Sequence, residues 1–121
     1  MIALAADEDV AGFLVAALRR HIPDVDLLTT VDRQLLGATD EEQLESAQAL
    51  NRALLSCDRA LGTKVWARIA AGELSISGLI IARRDGNTTA FLDEMTLLIA
   101  STPAKWTNRV HWLTTTPTRG R

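Results

Sequence analysis

The sequence predicts an α/β fold with a mainly parallel central sheet of about four to five strands and helices on both faces. Short apolar runs of strand length alternate with longer segments in which apolar residues recur at the spacing of one helix face. Strands that alternate with helices are joined by crossover connections, which favour parallel pairing. We expect these crossovers to be right-handed.

Five segments have the length and apolar character of strands. In chain order they are residues 2–6, 25–29, 53–57, 78–84 and 109–113. Four segments between them have the periodicity of a helix face, marked in chain order by Val10 to Leu18, by residues 39–51, by Val65 to Ala70 and by Phe91 to Ile99. Thr39 and Glu42 have the spacing of a capping box at the start of the second helix. A short helical turn is also expected over residues 31–36.

The apolar faces of these elements predict the core of one domain over residues 1–114, followed by a loose tail over residues 115–121. Nine residues are expected to be buried: Val10, Phe13, Leu14, Leu54, Leu55, Ile80, Ile81, Leu92 and Met95.

Composition excludes several classes of protein. A net charge of −2 argues against nucleic-acid binding by bulk positive charge alone. The single cysteine, Cys57, cannot form an internal disulfide or a cysteine-based zinc site, and it is expected to lie in the core. The apolar runs are too short for a membrane span, and the start of the chain is acidic where a signal peptide is basic. We therefore expect a cytoplasmic protein with no membrane partner.

Two of the predicted strands end in carboxylates. Asp7 follows the first apolar run and Asp58 follows the third, and the carboxyl ends of parallel strands meet at the edge where ligands bind. Asp40, at the start of the helix before the third strand, would face the same crevice. Carboxylates brought together repel unless a cation neutralises them, and Mg²⁺ and Mn²⁺ prefer oxygen ligands. This pattern is compatible with a metal site.

Each of these acids also has a purely structural explanation. Asp7 and the two acids after it would stabilise the positive end of the first helix, and Asp58 would be the N-cap of its own helix. The acids at 41–45 would form a solvated helix face. The residues alone leave both interpretations open.

Three segments resemble a known family: LAADEDVAGFLVAALRR, DVDLLTTVDRQLLGATDEEQL and ALLSCDRALGTKVWARIAAGE. In this order they resemble the short PIN-like nuclease domains grouped with VapC-type toxins and with the RNase domain of Mut7-C proteins. The similarity continues through GLIIARR to STPAKWTNRVHWL and so covers nearly the whole chain. The α/β fold that it implies is PIN-like. PIN domains are typically metal-dependent ribonucleases with acids clustered at the carboxyl edge of a parallel sheet.

The resemblance implies the roles of particular residues. Asp7, Asp40 and Asp58 would be the catalytic acids that hold Mg²⁺ or Mn²⁺, with Glu8 and Glu41 as additional candidates. The family's Thr-x-Asp signature is written here as Ser-Cys-Asp at 56–58. The cations that follow Asp58 at about one helical turn would meet RNA phosphates: Arg59, Lys64 and Arg68.

The function that the resemblance implies is that of a metal-dependent endoribonuclease, the toxin component of a type II toxin-antitoxin system. Its partners would be RNA and a small antitoxin protein, and a homodimer is also compatible with it. Ala60 stands where relatives commonly have a second Asp. The alternative is therefore a catalytically weakened PIN-like module that acts through partner contact. A phosphotransfer receiver has a similar placement of acids, but it needs a lysine at the end of a later strand.

Overall fold

The computed structural model describes residues 1–84 and 86–114, which form one five-stranded sheet. All four strand pairings are parallel, and the spatial order is β2-β1-β3-β4-β5. The strands are β1 (Leu4–Ala6), β2 (Leu27–Leu28), β3 (Ala53–Ser56), β4 (Leu79–Ile81) and β5 (Val110–Trp112). The predicted α/β class is thus confirmed, and the order is one of the common doubly wound arrangements.

Four α-helices and one short 3₁₀ helix connect the strands within the described residues. They are α1 (Gly12–His21), α2 (Asp40–Ala49), α3 (Arg59–Ala70), α4 (Thr88–Ile99) and the 3₁₀ helix Pro103–Trp106. The capping box predicted at the start of α2 is confirmed, with reciprocal hydrogen bonds between Thr39 and Glu42. The predicted tail, residues 115–121, lies outside the described residues.

The helical turn predicted over residues 31–36 is wrong. This segment forms turns, and Gln34 has a φ of 59°, which interrupts a right-handed helix. Thr29 and Asp32 also exchange hydrogen bonds between side chain and backbone, at 2.9 Å and 3.2 Å. Such local bonds offer the backbone an alternative to helix.

Two apolar clusters cover the two faces of the sheet. On one face α1 and α4 contribute Leu14, Leu18, Phe91 and Met95 to a cluster with alternate strand residues. On the other face α2 and α3 pack Leu44, Ala47, Leu61 and Val65 against the intervening strand residues. Each face of the sheet is therefore covered by two helices.

The last crossover has the opposite hand from the other three. From β1 to β2 the chain moves toward the β2 edge of the sheet, and α1 packs on one face. From β2 through β3 to β4 it moves toward the β5 edge, and α2 and α3 pack on the opposite face, so these three crossovers have the same hand. From β4 to β5 the chain continues toward the β5 edge, but α4 packs on the face of α1, which reverses the hand of this crossover. The expectation that all crossovers are right-handed is therefore wrong. The result is two helices on each face of a parallel sheet, which is buried on both sides.

Of the nine residues predicted to be buried, seven are buried. Phe13, in the first turn of α1, is 65% exposed. Leu92 on α4 is half-buried against the apolar cluster that contains Leu14 and Met95. Trp106 is buried, whereas Trp66 on α3 is exposed. No helix in the described part of the chain is long and apolar enough to span a membrane.

Gly62 in α3 allows the helix to approach the edge strand. A Cβ atom at this position would lie 2.9 Å from two ring atoms of Trp112 and 3.0 Å from Ile81 Cγ1. We predict that Gly62→Ala destabilises the fold by about 1–3 kcal/mol through overpacking, although alanine favours helix by about 1 kcal/mol. Urea denaturation followed by circular dichroism measures the change.

The matched control is Gly12→Ala at the start of α1, where a Cβ atom would have no heavy atom within 4 Å. This change should leave the free energy of unfolding unchanged or raise it. Equal stability of Gly62→Ala and the wild-type protein would contradict the close packing of α3 on β5.

Candidate functional site

The strand order creates a crevice at the carboxyl edge of the sheet. From β1 the chain moves to β2 on one side, and β3 pairs with β1 on the other side. In open parallel sheets ligands bind at such a switch point. Asp7 directly follows β1, and Cys57 and Asp58 directly follow β3. The structure therefore places these two predicted acids at the ends of neighbouring strands.

Asp7 is a half-buried carboxylate close to other acids. Its Oδ1 accepts a hydrogen bond from the N–H of Glu8 at 2.7 Å. Burial raises the pKa of Asp7, and the charges of Asp9 and Asp40 raise it further, whereas the hydrogen bond from the Glu8 N–H acts in the opposite direction. The balance shifts Asp7 toward its protonated form, mainly because burial penalises the ionised carboxylate.

Asp9 joins the loop after β1 to the end of β3. Its side chain is only 20% exposed, and it accepts hydrogen bonds from the Cys57 N–H at 3.0 Å and from Ser56 Oγ at 3.2 Å. Arg84 Nη2 lies 3.7 Å from Asp9 Oδ2. In the sequence, Asp9 is only part of the acidic run that follows Asp7. Its membership of the site depends on tertiary contacts with β3 and with the loop after β4.

Asp40 and Asp58 contribute to the crevice in different ways. Asp40 is the first residue of α2, and its charge contributes to the raised pKa of Asp7. Asp58 is the N-cap of α3, where Oδ1 accepts from the Leu61 N–H at 3.1 Å. The Asp58 N–H also donates to Ser56 Oγ at 3.1 Å. The structural explanation for Asp58 as a helix cap is therefore confirmed.

The two predicted glutamates have other partners. Glu8 Oε1 accepts a hydrogen bond from the Gly37 N–H at 2.6 Å, which links the loop after β1 to the loop before α2. Glu41 Oε1 pairs with Arg68 Nη1 at 3.1 Å, between α2 and α3. Glu8 thus fixes the wall of the crevice, and the charge of Glu41 is compensated by a neighbouring helix.

Arg33 is a half-buried cation that the sequence did not identify. Its Nη2 donates to the Ala6 carbonyl at 3.0 Å and to Gln43 Oε1 at 2.6 Å, and its Nη1 donates to Ser46 Oγ at 3.1 Å. Burial lowers the pKa of Arg33, and the nearby charge of Asp7 opposes that shift. Arg33 therefore holds the residue before Asp7 and supplies part of the positive charge near the acids.

The donors suit a hard divalent cation in their chemistry, because carboxylate oxygens are the ligands that Mg²⁺ and Mn²⁺ prefer. They are not preassembled, however. Within residues 1–84 and 86–114, no three Asp, Glu, His or Cys side chains are grouped so that they could hold a metal ion. Asp9 and Asp58 instead accept hydrogen bonds from Ser56, Cys57 and Leu61. Coordination by three acids would require side-chain rotation.

A basic cavity adjoins the acids at the ends of β3 and β4. It has a volume of about 510 Å³ and is lined by Cys57, Arg59, Ala82, Arg83 and Arg84. Arg59 was predicted to bind RNA, whereas Arg83 and Arg84 were assigned only to the end of a strand. The arginine that pairs with Asp9 thus also lines this cavity.

The other two predicted RNA-binding residues lie elsewhere. Lys64 and Arg68 line a separate cavity of about 390 Å³ between α2 and α3, together with Asp40 and Glu41. Positive and negative charges are mixed on this surface. Lys64 and Lys105 are the two lysines of the sequence, and neither follows a strand, so the position that a receiver domain requires is not filled by lysine.

Cys57 is buried, as predicted, and lines the wall of the basic cavity. Burial raises the pKa of its thiol to about 11, and the negative charge of Asp9 acts in the same direction. The thiol is therefore protonated at neutral pH. It is a neutral wall residue rather than a thiolate nucleophile.

We predict that Asp7→Asn stabilises the protein at pH 7 by at most about 1 kcal/mol when EDTA is present, since solvent screens a half-buried charge. Because the folded-state pKa of Asp7 is raised, the folded protein binds this proton more tightly than the unfolded chain does. Ionisation therefore destabilises the fold above the folded-state pKa, and this effect disappears as the pH falls below the ordinary value of 3.8. Thermal denaturation of both proteins between pH 3 and pH 8 measures it.

Asp32→Asn is the matched control, since hydrogen bonds from Thr29 lower the pKa of Asp32. The ionised Asp32 carboxylate of the wild-type protein therefore stabilises the fold above pH 3.8, and this stabilisation is lost as the pH falls through the folded-state pKa. This variant should therefore melt at a lower temperature than wild type at pH 7. A lower melting temperature for Asp7→Asn at pH 7 would contradict the uncompensated charge at Asp7.

Comparison with known proteins finds no match among protein-family models, curated proteins or solved structures. The resemblance to PIN-like nuclease domains therefore stays a prediction from the sequence. The functional interpretation rests on the charge and geometry of the crevice at the ends of β1 and β3.

Proposed function

We propose that this chain is a metal-dependent ribonuclease of PIN-like type that hydrolyses RNA phosphodiester bonds. The observation that supports this proposal most is Asp7, a half-buried carboxyl group whose pKa is raised by burial and by the charges of Asp9 and Asp40. A site that gathers carboxylates without enough positive charge has a physical use for a cation. Asp7 lies at the switch point of the parallel sheet, and open parallel sheets bind ligands at such points.

Asp7, Asp40 and Asp58 are the residues that would hold Mg²⁺ or Mn²⁺, with Asp9 as a further candidate that the structure adds. The bound cation would supply electrostatic stabilisation of the phosphodiester and would activate water. Other residues of the chain would support these acids without binding the cation. Glu8 fixes the loop that carries Asp7 through its bond to Gly37.

The remaining polar groups position the acids or neutralise the charge of the substrate. Arg33 binds the Ala6 carbonyl and so sets the backbone from which Asp7 projects. Ser56 links Asp9 to the N–H of Asp58, which keeps the ends of β1 and β3 in register. Arg59, at the first position of α3, faces the basic cavity beside the acids, where a phosphate group of the substrate would be neutralised.

The toxin role belongs to the same proposal. An acidic crevice that cleaves cellular RNA would be harmful when uncontrolled, and a small antitoxin with a basic side chain could block it. Trp66, which is 53% exposed on α3, offers an apolar surface for that protein or for a second copy of the chain. Co-purification from the native cell would recover the antitoxin with the chain.

A catalytically weakened binding or regulatory module is the second candidate. The observation that favours it is that the acids have protein partners: Asp58 caps α3, and Asp9 bonds to the end of β3. Ala60 also leaves the first turn of α3 without the additional acid that relatives commonly have. In this case the crevice would bind its partner without cleaving RNA.

We predict that Asp58→Asn reduces Mn²⁺-dependent cleavage of single-stranded RNA by about two orders of magnitude while the fold is retained. Asparagine is as good an N-cap as aspartate, so α3 keeps its first turn, but the amide loses the charge that holds the cation. Ala60→Asp should maintain or raise the cleavage rate, because it adds a carboxylate at an exposed helix start. The rates are measured on a labelled single-stranded RNA with Mn²⁺ and with EDTA.

Asp24→Asn, on the exposed turn after α1, makes the same chemical change at the opposite edge of the sheet and serves as the control. Mn²⁺ should also raise the melting temperature of wild type and of the control more than that of Asp58→Asn. Equal cleavage by wild type and Asp58→Asn would contradict the assigned site. A wild-type protein that neither cleaves RNA nor gains stability with Mn²⁺, yet binds a partner, would favour the regulatory module.

A further inference from the structure

We propose that the basic cavity at the ends of β3 and β4 binds a backbone phosphate of the RNA strand next to the cleaved bond. This inference rests on the proposed ribonuclease function and specifies the path of its substrate. It places the RNA strand over Arg59 and Arg84 rather than across the surface of α3 that carries Lys64 and Arg68.

Cations from separate parts of the chain converge on this cavity. Arg59 comes from the start of α3, and Arg84 from the loop after β4, yet both line the same 510 Å³ cavity. Guanidinium groups gathered at one cavity repel each other unless an anion lies between them, and arginine binds phosphate oxygens through paired N–H donors. The cavity thus has the charge that a phosphate needs.

Arg84 is only weakly held by its acidic neighbour. Its side chain is 69% exposed, and its nearest approach to Asp9 is 3.7 Å, which is longer than a hydrogen-bonded ion pair. Exposed ion pairs of this kind contribute little to stability. Arg84 can therefore move from Asp9 to a phosphate at little cost, and the distance to Asp9 shows that the cavity lies directly beside the acids.

Besides the arginines, the described residues that line the cavity are Cys57 and Ala82. Neither residue brings a carboxylate to the cavity.

The alternative path over α3 has a less favourable charge distribution. Arg68 is paired with Glu41 at 3.1 Å, and the cavity that it lines with Lys64 also contains Asp40. An RNA phosphate on that surface would have to displace Glu41, the existing partner of Arg68. The arginine cavity presents no carboxylate among its described lining residues.

Binding of a 3′-labelled oligouridine of 12 nucleotides in EDTA tests this inference without any cleavage. Arg59→Gln and Arg84→Gln should each weaken binding severalfold, and each should reduce the slope of log affinity against log salt concentration by about 0.7, the value for one phosphate contact on a single strand. Arg20→Gln removes the same charge in the last turn of α1, at the other edge of the sheet, and should leave the slope unchanged.

The outcomes separate this inference from the proposed function. Cleavage by the wild type with unchanged oligouridine binding in Arg59→Gln and Arg84→Gln would overturn the phosphate site and leave the ribonuclease intact. Binding that depends on both arginines in a protein that never cleaves would refute the enzyme and retain the site. Three results would overturn the proposed RNA path over Arg59 and Arg84. They are a lack of oligouridine binding, an equal loss of binding in Arg20→Gln, and displacement of oligouridine by equimolar uridine monophosphate.

Discussion

The parallel pairing of β1 with β3 determines the position of every group in the crevice. The register places Ala6 opposite Leu55, and the Asp7 N–H continues the ladder with a 2.8 Å bond to the Leu55 carbonyl. Asp7 therefore emerges beside the end of β3, where Asp9 can bond to Ser56 and to the Cys57 N–H. A one-residue slip would turn each side chain of β1 to the other face of the sheet and separate these groups.

Around this pairing the charges are unevenly balanced. Asp58 Oδ1 and Glu41 Oε1 each have a protein partner, the Leu61 N–H at the start of α3 and Arg68 respectively. Asp7 does not reach the same balance, because burial and neighbouring acids outweigh its hydrogen bonds and the charge of Arg33. Proteins retain such an unfavourable arrangement where a ligand compensates it, and functional sites are where perturbed carboxyl groups are concentrated.

The sequence was sufficient for features that depend on local patterns. Apolar periodicity identified the strands and helices, and the Thr39–Glu42 spacing identified a real capping box. It failed where tertiary packing decides. α4 packs beside α1 rather than on the face of α2 and α3. The roles of Asp9 and Arg33 depend on contacts across 47 and 27 residues of chain, respectively. No local pattern encodes such contacts.

The titration of Asp7 by carbon-detected NMR tests the central claim most directly, because it observes the one carboxyl group on which the metal-site interpretation depends. With EDTA present, Asp7 should titrate above the ordinary pKa of 3.8, and saturating Mg²⁺ should shift its apparent pKa downward as the cation stabilises the ionised form. An Asp7 that titrates at or below 3.8 without metal, or whose titration Mg²⁺ leaves unchanged, would contradict the account.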